Sequence, residues 1–176
     1  MAVCELISVG TEILLGDILN TDAQYLSIEL AKLGISVIHQ STVGDNRERL
    51  LAQLDEAAKR SDIIILSGGL GPTPDDLTKE VCCEFFGKEM FLHEPTVEKI
   101  KEYFSSKGIE MAQNNLKQAM LPKDCVIFPN DNGTAPGMAI EKDGVHILVL
   151  PGPPRDVSKL CRPLPYAIFR PHNRFA

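Results

Sequence analysis

The first 150 residues contain no basic run, and 18 Lys and Arg stand against 24 Asp and Glu, for a formal net charge of −6. That balance excludes a protein that lives on the phosphate backbone of nucleic acid. It leaves room for small anionic ligands, because backbone N–H groups and a metal can hold phosphate without a basic surface. No apolar run approaches the length of a membrane span, and Met1-Ala2-Val3-Cys4-Glu5 lacks the basic and apolar regions of a secretory leader, so no membrane partner is expected. The five cysteines form neither a CxxC zinc pattern nor an even disulfide framework. They read as reduced thiols and place the chain in the cytoplasm. Trp is absent and aromatics are sparse at 6%, yet 44% hydrophobic and 24% charged residues are ordinary values for a globular protein. A chain of 176 residues can bury a sizeable core as one domain without staples.

What is present is an alternation of short apolar runs with amphipathic stretches. Val3–Val9 is an apolar run closed by Gly10, and Asn20–Leu33 follows with Ala23, Leu26, Leu30 and Leu33 at helical spacing before Gly34. Asn20 or Thr21 is available as its N-cap, and Gly34 as its C′ residue. Ile35–Val43 predicts a second strand, Arg47–Arg60 a second helix and Asp62–Leu66 a third strand. The unbroken Ile63-Ile64-Ile65-Leu66 core indicates a strand covered on both faces. Further helices are predicted over Leu77–Phe86, Glu94–Lys107 and Asn114–Met120, and further strands over Cys125–Phe128, Met138–Ile140 and His146–Leu150. Strands alternating with helices define a doubly wound α/β architecture. We delimit the domain at residues 1–160. The basic, Pro-rich stretch 161–176 reads as a surface or disordered tail.

In an open α/β sheet, ligands sit beyond the carboxyl ends of the strands, so the residues just after each strand are the informative ones. The sharpest such segment runs from Ser67 through Gly68, Gly69, Leu70, Gly71, Pro72, Thr73, Pro74 and Asp75 to Asp76. Its glycines permit tight turns that point N–H groups at an anion, and the helix beginning at Leu77 would face the same ligand. Asp75 and Asp76 suit helix capping, with Asp75 accepting from the backbone near Thr78. Two adjacent carboxylates beside a phosphate-shaped loop also suit a divalent cation of the Mg²⁺ type. Thr11-Glu12 and Asp45-Asn46 carry carboxylates at other strand ends, and with Asp76 they would form a cluster at one sheet edge. Each alone reads equally well as loop polarity or capping.

Asn114 and Gln118 lie four apart, which would put them on one helical face, and Lys117 beside them could neutralise phosphate charge. A solvated polar face is the plain alternative. Gly133-Thr134-Ala135 permits close backbone approach to a ligand, although a connector explains it too. Pro151-Gly152-Pro153-Pro154-Arg155 predicts a stiff lip ending in a guanidinium fork suited to an anion. The four His residues show no ligand spacing, and Cys82-Cys83 is assigned to structure.

Taken together, Gly10 to Asp17, Asn20-Thr21, Val43 to Asn46, Ser67 to Thr78, Gly133 to Gly137 and Leu150 to Arg155 resemble the N-terminal domain of the competence/damage-inducible CinA family. The likeness runs from about Val3 to about Asp156. It implies a molybdopterin-binding-like fold: a three-layer α/β/α sandwich with a mostly parallel sheet, forming dimers or trimers. It further implies metal-dependent hydrolysis of ADP-ribose to AMP and ribose 5-phosphate. In that resemblance Asp76 and Asp45 hold the metal or orient water, Thr78 belongs to the same motif, and the Gly68–Thr73 backbone with Arg155 binds phosphate. CinA-type proteins usually continue into a second domain that deamidates nicotinamide mononucleotide. These 176 residues leave no room for it, so deamidation is not expected of them. Past Asp156 the pattern gives way to the basic tail, which leaves the domain's closing helix unassigned. The alternatives are molybdopterin binding in molybdenum cofactor biosynthesis and a non-catalytic nucleotide-binding module.

Overall fold

The computed structural model describes residues 2–160, so the tail expected at 161–176 lies outside the described residues. Its backbone is a six-stranded sheet ordered β2-β1-β3-β8-β7-β6, built from β1 (Val3–Val9), β2 (Ser36–Val43), β3 (Ile63–Ser67), β6 (Val126–Phe128), β7 (Gly137–Lys142) and β8 (Val145–Leu150). The pairs β1–β2, β1–β3 and β3–β8 are parallel, whereas β7 and β6 add antiparallel at the far edge. A second, two-stranded antiparallel sheet pairs β4 (Met90–Leu92) with β5 (Met120–Pro122).

The period of two sorts the sheet's side chains onto two cores. Leu6, Ile63, Ile65, Leu148 and Leu150 pack on one face with Ala23, Leu26 and Leu30 of α2 (Thr21–Lys32) and Val157 and Leu160 of α6 (Pro154–Leu160). Ile7, Val9, Ile64, Leu66, Ile147 and Val149 pack on the other, with Leu50 and Leu54 of α3 (Arg47–Ala58) and Val81, Cys82 and Phe86 of α4 (Thr78–Phe86). This is the three-layer α/β/α sandwich expected, and it explains why the central strands lack alternation: neither face meets water. A third, small core joins Val97 and Ile100 of α5 (Glu94–Ser106) to Ala119.

Local signals account for the helix ends. Asn20 caps α2 by accepting from the Ala23 amide at 3.2 Å, and Gly34 at φ 75° ends it. The Gly34 and Ile35 amides donate to Ala31 and Leu30 carbonyls, the paired bonds of a Schellman motif, with buried Leu30 and Ile35 in the same core. Leu33, counted in the apolar stripe, is instead exposed at the helix end.

Five elements depart from expectation. Thr11–Leu15 forms a one-turn helix, α1, with no buried residue, so it carries no periodic signal to read. β4 and β5 are three residues each, below the length at which alternation is visible. The expected α-helix near Asn114 is a 3₁₀ helix, Gln113–Ala119. The Pro-rich lip is shorter than expected: Pro154 opens α6, whose Asp156 and Val157 are buried. Proline suits that first turn, where its missing N–H has no partner to lose. Among the described residues no helix is long and apolar enough to cross a membrane.

Candidate functional site

The strand order reverses at β1: one crossover leads outward to β2, and the chain then returns to β3 on the other side. Loops from β1, β2, β3 and β8 therefore open at one carboxyl edge. Antiparallel β7 brings residues 129–136 to the same edge, since Gly137 pairs with Phe128 and Met138 with Val149. A cavity of about 650 Å³ lies there. It is lined by Glu12, Asn20, Asp45, Ser67, Gly68, Gly69, Gly71, Thr73, Asp75, Asp76, Gln118, Gly133, Thr134, Ala135, Gly152, Pro153, Pro154 and Arg155. Residues far apart in sequence thus share one wall, as ligand sites at topological switch points do.

The floor is made of glycine backbone. Gly68 (φ 99°) lies so close to β1 that a Cβ would stand 2.1 Å from the Val9 carbonyl oxygen, and one on Gly69 (φ 67°) would stand 2.1 Å from Thr78 Oγ1. Gly152 packs against the Gly68 backbone, joining the β3 and β8 loops. The Gly68 amide is spent on Leu150 O at 3.1 Å. Among the described residues, those of Gly69, Leu70 and Gly71 donate to no protein acceptor. Three adjacent unpaired amides are the kind of backbone donors from which anion sites are built.

Around this floor the predicted residues divide. Asp45 Oδ2 accepts from the Thr11 amide (3.0 Å) and hydroxyl (2.8 Å), tying the β2 loop to the start of α1. Asp76 Oδ2 accepts from the Thr73 amide at 2.9 Å and from the Thr73 hydroxyl, closing the β3 loop on itself. Each carboxylate keeps a second oxygen. Asp75 is exposed and does not cap α4, whose N-cap position is Leu77 with no side-chain bond. Thr78 is buried beneath the cavity, and its hydroxyl donates to Gly68 O at 2.8 Å. Pro72 and Asn114 do not line the cavity.

Lys117 is the main correction. Its ammonium donates to Thr73 O at 2.7 Å and to Asp76 O, and stands 3.6 Å from Glu80, so it grips the loop's carbonyls rather than the cavity. The 3₁₀ geometry explains Asn114: residues three apart eclipse there, so Asn115 and Gln118 are buried together and Asn114 turns outward. Gln118 donates to Leu70 O at 3.1 Å, and its own oxygen, though buried, has no partner. Buried Lys79 extends the clasp by donating to the carbonyls of Lys117, Gln118 and Met120 at 3.1, 2.8 and 3.0 Å. No spacing rule marked Lys79, because its acceptors lie about forty residues away.

The cavity also takes in residues that pattern reading passed over: Ile13, Ile18 and Leu19 beside α1, Tyr103 of α5, and the carboxylates Asp22 and Asp156. Asp22 has the appearance of an ordinary first-turn acid, and Tyr103 stands three residues after buried Ile100, where an aromatic reads as core packing, so neither stands out before the chain is folded. Glu12, Asp45 and Asp76 come to the one cavity expected of them at the sheet edge, although among the described residues no three His, Cys, Asp or Glu are grouped closely enough to hold a metal. Six carboxylates line the cavity, Asp45 and Asp76 among them, and hard carboxylate oxygens are the donor type that Mg²⁺ accepts, one or two at a time beside water and phosphate oxygens.

The fold is a doubly wound α/β sandwich with a glycine-floored cavity at its switch point. Comparison with known proteins is more specific. Residues 5–164 match the family described as "Probable molybdopterin binding domain". A protein of Clostridioides difficile named for competence-damage induction is 57% identical over 156 residues, covering 89% of this chain and 37% of that relative. A CinA-like protein of Dictyoglomus turgidum is 54% identical over 154 residues, 88% of this chain and 38% of its own length. The crystal structure of CinA from Thermoplasma acidophilum, described as of unknown function, superposes with a TM-score of 0.86 at 31% identity, covering 96% of this chain and 98% of that one. The tungsten cofactor synthesizing protein MoaB from Pyrococcus furiosus shares the fold (TM-score 0.63, 21% identity, 96% and 93% covered). This chain belongs to the molybdopterin-binding domain family and, within it, to the CinA-like proteins. It spans less than two fifths of the length of these two curated relatives.

Proposed function

We infer that this domain is a metal-dependent nucleotide pyrophosphatase that hydrolyses ADP-ribose to AMP and ribose 5-phosphate. The observation that carries the reading is the row of unpaired amides at Gly69, Leu70 and Gly71 on the cavity that Asp45 and Asp76 also line. The amides would hold the pyrophosphate oxygens. Their positions are set by the Thr78 and Lys117 clasps, so little reorganisation is needed as charge builds on phosphorus. Asp45 and Asp76 are the residues that would hold a divalent cation of the Mg²⁺ type, whose chemistry when bound is to offset phosphate charge and acidify a water. The free oxygen of either carboxylate can also accept a proton from water attacking phosphorus, with the phosphoanhydride bond breaking toward the opposite phosphate. Arg155, exposed and lining the cavity, would meet an outer phosphate oxygen in this reading.

Purified protein is expected to release AMP from ADP-ribose only with a divalent metal, and Asp76→Asn should lower kcat/KM by at least about 100-fold. No turnover with any divalent metal sinks the reading. The second reading, molybdopterin binding in cofactor biosynthesis, is favoured by the family match and the fold shared with MoaB. Tight molybdopterin binding with ATP-dependent adenylation would support it. Nucleotide binding indifferent to both Asp45→Asn and Asp76→Asn would instead indicate a non-catalytic module.

A further inference from the structure

Two buried carboxylates line the same cavity without serving its phosphate floor. Asp22, in the first turn of α2, is 7% exposed, and its Oδ1 has no hydrogen-bond partner. Asp156, at the start of α6, is 3% exposed; its Oδ2 accepts from Asn130 at 2.8 Å, and its Oδ1 has no hydrogen-bond partner. Among the described residues, the cation near that oxygen is Arg155 Nε at 3.5 Å, on a side chain that is mostly in water. The two helices lie side by side on one face of the sheet, sharing its core, and Tyr25 of α2 donates its hydroxyl to Ser158 O of α6. Asp22 and Asp156 therefore belong to one flank of the cavity.

A buried acceptor left unpaired is costly, and more so when it carries charge. Burial pushes Asp22 up to about 6, so near neutral pH it is mostly ionised and still unpaired. Neither carboxylate can welcome a phosphate, which is all acceptor and negative. What each can take is a donor: a hydroxyl or an amine.

We propose that Asp22 and Asp156 form a hydroxyl-reading flank that accepts hydrogen bonds from the sugar of a nucleoside-diphosphate-type ligand while the glycine floor holds its phosphates. This rests on the nucleotide reading of the site, but not on hydrolysis. It makes sugar recognition a property of the α2–α6 face and phosphate recognition a property of the β3 loop. The two can be separated by probes that share phosphates and differ in hydroxyls.

The test is calorimetric binding of the non-hydrolysable α,β-methylene analogue of ADP-ribose and of inorganic pyrophosphate to the full chain with Mg²⁺. Asp22→Ala and Asp156→Ala are each expected to weaken the analogue roughly tenfold and to leave pyrophosphate within about twofold. Asn130→Ala loosens the loop held by Asp156 but keeps its carboxylate, so it should weaken the analogue far less than Asp156→Ala. Equal weakening of both ligands, no weakening of either, or wild-type binding of pyrophosphate without the analogue overturns the proposal. Binding neither ligand overturns it together with the nucleotide reading. Differential weakening without any ADP-ribose turnover would remove the hydrolytic reading and leave the flank standing.

Discussion

At Gly68 the backbone combines a φ of 99° with a carbonyl where a Cβ would have to go. Gly68→Ala meets both a left-handed backbone penalty and a clash with β1, together about 2–4 kcal/mol. The urea midpoint should fall accordingly, and an unchanged midpoint would mean the loop is not held against Val9. Asp22 poses the opposite case, since it destabilises the fold it serves. Its folded value of about 6 lies above the ordinary 3.8, so the folded state binds the proton more tightly and stability falls as pH rises through that window. Asp22→Asn removes the unpaired charge at nearly constant shape. It should raise the melting temperature at pH 7.5, with the gain fading below about pH 4. A variant no more stable than the parent at pH 7.5 would show that the carboxylate is already satisfied.

At the scale of elements, the 3₁₀ helix Gln113–Ala119 is the part whose role changed most between expectation and structure. It is a brace: Lys117 holds the β3 loop from it, and Lys79 holds it to α4. Lys117→Met should therefore raise the KM for ADP-ribose by loosening Thr73 and Asp76, and an unchanged KM and kcat would remove the brace from the account. Burial pushes Lys79 down to about 8 from an ordinary 10.5. Between those values the unfolded chain holds the proton that the folded chain gives up, so this group's contribution to stability rises with pH. Cys4 and Cys83 are pushed up to about 12 and Cys125 to about 11, from 9.0, and these contribute in the opposite sense above pH 9. The clean measurement is therefore the stability of wild type minus that of Lys79→Met, which should rise from pH 8 to 10. A flat difference would mean that the three carbonyls hold the ammonium charged throughout.

The molecule as a whole leaves an apolar surface beside its edge strand β2: Leu15 is 72% exposed and Leu14 50%, both on α1, with Ile38 exposed on β2. The dimer or trimer implied by the family resemblance would cover such residues. Sedimentation should give a dimeric or trimeric mass that Leu14→Glu with Leu15→Glu lowers to the monomer. A wild-type monomer would refute the association. The layered fold was legible before folding because Ile63–Leu66 and His146–Leu150 are unbroken apolar runs, and such runs must be covered on both faces. The glycine floor was legible too, since Gly68 and Gly69 adopt conformations that other residues resist. These are local properties: hydrophobic period, capping chemistry and backbone freedom act over a few residues, and the sequence by itself determined them. Only the tertiary structure decided that Lys117 turns away from the cavity, that Lys79 finds three carbonyls, and that Asp22 and Asp156 meet on one flank. Those outcomes depend on which loops the crossovers carry to a common edge and on whether a helix winds at 3.0 or 3.6 residues per turn, and a side chain's partners across such distances are set by packing, not by its neighbours in the chain.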